Sequence, residues 1–156
     1  MNTGTRNTWR AGAVAFAAAI ALAGCGMLND RDDERGEHMR GNHQELTLVG
    51  ANEVPAVSTT AAGSGWVMIH HDHTVTAKIT VSGMTPTASH IHMAAAGANG
   101  PVIVPFTKEG DNTFVAPPGA KLSDEQYEAL KAGKLYVNVH SASHPGGEIR
   151  AQLKGW

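Results

Sequence analysis

From Val75 to Val81 the chain alternates. Val75, Ala77, Ile79 and Val81 are apolar, and Thr76, Lys78 and Thr80 between them are polar. A period of two predicts a strand with one buried face. The same reading finds short strands in "LTLVG", "GWVMIH", "SHIHMA", "GANGPVIVPF", "NTFVAP", "KLYVNVH" and the closing "GEIRAQLKGW". "HDH" joins the second of these to the Val75 run, and an Asn-Gly turn signal precedes the branched residues of "PVIVPF". In "KLYVNVH", Leu135, Val137 and Val139 fall on one face, and Tyr136, Asn138 and His140 on the other. One segment breaks the period. "LSDEQYEALKAG" offers Ser123 as an N-cap, acids in the first turn, Lys131 in the last and Gly133 as a stop, which predicts a helix. Leu122, Tyr127 and Leu130 are suited to pin it onto the sheet. The pattern predicts an all-β fold: an antiparallel β-sandwich of Greek-key type, with one short helix before the penultimate strand. There is no internal repeat and no second domain.

The two ends of the pattern differ. Residues 1–24 open with Arg6 and Arg10 and no acid, then run through "AGAVAFAAAIALAG", which is shorter than the ~20 residues of a membrane-spanning helix. A basic start, a short apolar run and small residues before Cys25 form an export signal. Cysteine at that place resembles the lipobox of bacterial lipoproteins, in which the Cys25 thiol carries the lipid. Gly26 after it resembles lipoproteins sent to the outer membrane. The expectation is an exported, membrane-anchored lipoprotein on the periplasmic side or at the cell surface. Residues 25–45 are highly charged and nearly free of aliphatics, so they read as a lipidated flexible linker. That leaves residues 46–156 as one domain of common size.

Charge and cysteine count narrow the function. Loss of residues 1–24 leaves ten basic and fourteen acidic side chains, which excludes the clustered basic surface of a nucleic-acid binder. Cys25 is the only cysteine, so no internal disulfide can form, and the domain is held by its core or by a metal. The nucleophile and phosphate-loop motifs of common enzymes are absent. A binding module is therefore expected rather than an enzyme.

The histidines supply the candidate chemistry. His90 and His92 stand two apart in "SHIHMA", so in a strand they project from one face, ~6.5–7 Å apart at Cα. Ile91 between them points to the core. His140, at the end of an alternating strand, is a third candidate ligand. His144 joins only if the Pro145-Gly146-Gly147 turn folds it back. Imidazole sets of this kind suit copper or zinc. Met93 adds a thioether that favours Cu(I) if it reaches the site. Asn138, Glu148 and Arg150 are candidate supports for the imidazoles, and Glu148 and Arg150 are placed to form an ion pair. A second cluster, His70, His71, Asp72 and His73, sits at the hairpin tip; it is either a surface metal site or a polar turn.

Taken together, "ELTLVGANEVPAV", "GSGWVMI", "SHIHMAAAGANGPVIVPF" and "LKAGKLYVNVHSASHPGGEIRAQL" resemble the CHRD domain, the chordin-type module of many bacterial lipoproteins. The resemblance runs from about Glu45 to Leu153. It implies an immunoglobulin-like or dismutase-like β-sandwich and carries its motif histidines onto His90, His92 and His140. His144 departs from it, since the family usually has asparagine there.

Three functions follow from these readings. The first is a lipid-anchored metal-binding module, with copper favoured over zinc. The second is a structural or adhesive module of the cell envelope without metal. The third is a dismutase-like copper enzyme in which Arg150 guides an anion; the missing disulfide and zinc loop weigh against it. The partners implied are the membrane, through the lipid, and a metal ion. No residues single out a protein partner.

Overall fold

The computed structural model describes residues 41–156. Cys25, the export signal and the first part of the linker lie outside the described residues. The chain forms β1 (Gly41–Val49), a 3-10 turn (Gly50–Asn52), β2 (Ala62–His70), β3 (Val75–Ser82), β4 (Pro86–Met93), β5 (Val102–Pro105), β6 (Thr107–Glu109) and β7 (Thr113–Val115). Helix α1 (Asp124–Lys131), β8 (Leu135–Ser141) and β9 (Ile149–Gln152) complete it. The helix precedes the penultimate strand, as expected. Its cap is reciprocal: Ser123 Oγ accepts from the Gln126 N–H, and Gln126 Oε1 accepts from the Ser123 N–H.

Hydrogen bonding joins all nine strands, each pair antiparallel, in the order β5-β4-β8-β9-β1-β2-β3-β7-β6. The all-β antiparallel class is as expected. The strands form one continuous sheet rather than two separate hydrogen-bonded layers. Its two ends come together: the Phe106 N–H donates to Ser89 O, and Lys108 Nζ donates to Pro86 O beside β6. The sheet is therefore rolled into a nearly closed, barrel-like form, which leaves little open edge to be protected.

Two strands depart from the sequence reading. β1 begins at Gly41, inside the segment expected to be linker, because Gly41–Glu45 pair with Trp66–His70 of β2. The alternation there is carried by Gln44, a polar residue that the apolar pattern misses. Its side-chain amide is buried, accepting from Lys154 N and donating to Lys154 O. β6 is made of exposed Thr107, Lys108 and Glu109, so no apolar period marks it.

The core fills the inside of the rolled sheet. Leu48, Val67, Ile69, Val75, Ile79, Ile91, Val137, Val139 and Ile149 are buried there, with Leu122 and Leu130 brought in around the helix. Tyr127 packs against the same cluster. β8 is buried along its whole length. Its inner face is Leu135, Val137 and Val139; its outer face is Tyr136, Asn138 and His140. Loops cover that outer face, and the polar residues under them form the candidate site.

A buried three-histidine cluster

Register decides which side chains meet. β4 and β8 pair with His92 opposite Tyr136, His90 opposite Asn138 and Ala88 opposite His140. β8 and β9 pair with Asn138 opposite Arg150 and Tyr136 opposite Gln152. Strand alternation then puts His90, His92, Tyr136, Asn138, His140, Arg150 and Gln152 on one face, while Ile91, Val137 and Ile149 face the core. Three strands thus present a polar outer layer directly behind the hydrophobic one.

Within that layer the three expected histidines come together. One ring nitrogen from each of His90, His92 and His140 lies within 4.8 Å of the others. The ring centroids are 4.8 Å apart for His90 and His140, 5.5 Å for His90 and His92, and 6.0 Å for His92 and His140. Nitrogens sharing one ion at ~2.0–2.1 Å stand ~3.3–3.6 Å apart. The observed spread, up to 4.8 Å, is wider, so the rings must draw closer to share one ion.

Backbone carbonyls set the tautomers. His92 Nδ1 is 2.9 Å from Gly100 O, and His140 Nδ1 is 2.9 Å from Pro145 O. A carbonyl only accepts, so each Nδ1 carries the proton and each Nε2 offers a lone pair. His140 Nε2 faces His90 Nδ1 at 3.0 Å, and the His90 N–H donates to it. His92 Nε2 is buried without a hydrogen-bond partner. A buried unpartnered lone pair costs about 1–3 kcal/mol, and an ion between the rings removes that cost.

Electrostatics keep the rings uncharged. Burial, with His140 and His92 close by, lowers the His90 pKa from 6.5 to about 4. Burial also lowers that of His92, against the Gly100 carbonyl and Asn138, with Arg150 adding to the depression. His140 is lowered by burial, against the Pro145 carbonyl and with help from His92. Neutral imidazole is the form that binds a metal.

The surrounding side chains differ from expectation. His144 is not in the cluster: its backbone N–H bonds to Ser141. The turn that holds it serves His140 through the Pro145 carbonyl instead. Met93 lies on the Ile91 face and packs against the core, as alternation from His92 requires. Glu148 accepts from Thr59 Oγ1 at 2.7 Å and from Ser141 Oγ, so it ties β8 to the loop before β2 and forms no ion pair with Arg150. Burial works against its charge, yet those two hydroxyls and His144 hold its pKa below the usual range.

Asn138 and Arg150 do belong to this layer. Asn138 is 1% exposed and stands beside both His92 and Glu53. Arg150 is also 1% exposed, with its guanidinium carbon 3.3 Å from the Tyr136 ring centroid. It donates to Ala98 O, Asn99 Oδ1 and Gln152 Oε1. Tyr136 stacks on His92, with centroids 4.8 Å apart and planes 7° from parallel. Arg150 therefore holds the 94–101 loop over the site and supports His92 through Tyr136.

Glu53 and Tyr136 escape the reading of the histidines. The parity of "YVNVH" places Tyr136 with His140, but nothing local links Glu53 to either. Glu53 is buried, with a carboxylate oxygen lacking a hydrogen-bond partner. Burial raises its pKa against the pull of Arg150, the Val54 N–H and Asn138.

The hairpin-tip residues His70, His71, Asp72 and His73 do not converge into a group of ligating side chains. Asp72 accepts from the Thr74 N–H and hydroxyl. His73, at φ 71°, stacks on Tyr127 with centroids 4.1 Å apart and lies 3.4 Å from Asp124. Among the described residues, His90, His92 and His140 are the one group of three or more ligating side chains so converged.

Fold and site together define an all-β domain with a histidine triad on the outer face of its sheet, His92 and His140 buried and His90 half-buried. Residues 45–153 match the CHRD domain, and the chain belongs to that family. No curated protein and no solved structure matches it.

Proposed function

We propose that this protein is an exported, lipid-anchored metal-binding module that holds copper in preference to zinc through His90, His92 and His140. The observation that carries the reading is His92 Nε2. It is buried and unpartnered, its other nitrogen is fixed by Gly100 O, and two further imidazole nitrogens lie within 4.8 Å. A structural histidine in a core ordinarily finds a second partner; a ligand keeps its lone pair for an ion. Nitrogen donors bind copper more tightly than zinc in the divalent series, which favours copper. Anchoring is expected through Cys25 in the sequence context described above.

The test is titration of the purified chain with copper and with zinc, followed by elemental analysis after desalting. One retained ion, lost in the His90→Ala/His92→Ala double variant, supports the triad. Equal retention by both proteins moves the metal elsewhere. Retention by neither leaves the structural or adhesive reading. For the anchor, Cys25→Ser is expected to move the chain from the membrane to the soluble fraction, and unchanged partition overturns that part.

A further inference from the structure

The layer around the triad supplies no net negative charge to an ion. The three ligands are imidazoles, and no carboxylate joins their group. Two carboxylates are buried nearby. Glu148 is occupied by Ser141 and Thr59. Glu53 stands beside Asn138, and burial raises its pKa against the pull of Arg150. Asn138, between Glu53 and His92, is a neutral amide.

A full positive charge lies one ring behind the ligands. Arg150 lies against one aromatic ring, Tyr136, on which His92 is stacked. A cation so placed opposes a metal ion in proportion to the ion's charge. Desolvation acts in the same direction. The Born cost rises with the square of the charge, so it is about four times larger for a divalent ion than for a monovalent one of similar size.

Building on the copper reading, we propose that the site discriminates by valence. It holds the cuprous ion in preference to divalent copper or zinc, because three neutral ligands, with Arg150 one ring behind His92, leave a second positive charge uncompensated. Imidazole is a donor that suits copper. Met93 has no part in this preference, since its side chain packs against the core.

The full chain is titrated with Cu(I) under anaerobic reducing conditions, and separately with Cu(II) and Zn(II), each against a competing chromophoric chelator. Asn138→Asp, which changes charge beside His92 with almost no change in volume, is measured in parallel. Arg150→Met is a second variant, and circular dichroism verifies that both fold. The parent is expected to bind Cu(I) more tightly than either divalent ion. Asn138→Asp is expected to shift the ratio toward the divalent ions by at least tenfold, and Arg150→Met to shift it the same way. Equal or tighter divalent binding by the parent overturns the inference while leaving the triad in place. A ratio unchanged in a folded Asn138→Asp protein overturns it as well. Binding that survives His90→Ala/His92→Ala refutes the underlying site instead, and the valence inference falls with it.

Discussion

Acid is expected to weaken the metal-free domain from about pH 6.5 downward, and His90 is the clearest contributor. The unfolded His90 takes a proton near pH 6.5, whereas in the fold burial and the neighbouring His140 and His92 hold it off until about pH 4. Between those values the unfolded state binds more protons than the native one. Linkage then makes unfolding free energy fall as pH falls, by up to about 1.4 kcal/mol per pH unit for one group. Across the whole window the full shift is worth about 3.4 kcal/mol. Part of the ring meets solvent, and discounting for that leaves about 2 kcal/mol. The fall begins near pH 6.5 and levels off near pH 4, where both states are protonated at this site. Urea unfolding of metal-free protein between pH 7.5 and 4, for the parent and for His90→Gln, measures it. Subtracting the variant removes the titrations of Glu53 and Glu148, which are common to both. A difference curve that is flat from pH 6.5 to 4 refutes the reasoning. Metal loading should steepen the parent's acid sensitivity, because protons then compete with the ion for the same lone pairs.

Two other substitutions probe the surroundings. Gly147→Ala sets a Cβ 2.5 Å from Glu53 Oε1 and 2.6 Å from Asn138 Nδ2, at φ 129°. A loss of about 2–4 kcal/mol is expected in thermal or urea unfolding, and a loss under 0.5 kcal/mol contradicts the tight packing of the polar layer. His144→Asn removes an imidazole that lies outside the converged group, so copper affinity in chelator competition should change less than twofold. A tenfold weakening would instead make His144 a ligand.

Much of the site was legible because strand parity is a local rule. His90 and His92 share a face, Ile91 and Met93 take the other, and Tyr136, Asn138 and His140 alternate against Leu135, Val137 and Val139. The Ser123 cap and the Gly133 stop were equally local, each set by one residue's backbone and hydrogen-bonding chemistry. The same parity explains why Met93 cannot join the imidazoles beside it in sequence.

Pairing across the sheet was a different matter. Only the register of β4 on β8 brings His140 to 3.0 Å from His90, and no residue in either strand encodes that offset alone. Long-range contacts also separated Glu148 from Arg150, two residues apart in sequence: one carboxylate went to Thr59 and Ser141, and the guanidinium went to Tyr136 and the 94–101 loop. Gln44 entered the buried layer because Lys154, far along the chain, offered both a donor and an acceptor. The sequence by itself determined an all-β chain, the helix, and which faces carry the histidines, since these follow from periods of two and 3.6 and from capping. The tertiary structure alone decided that the strands roll into one sheet and that loops bury its polar face. It also decided that His92 Nε2 is buried without a hydrogen-bond partner, beside Asn138 and the other two imidazoles, because burial and register are properties of surfaces brought together from distant parts of the chain.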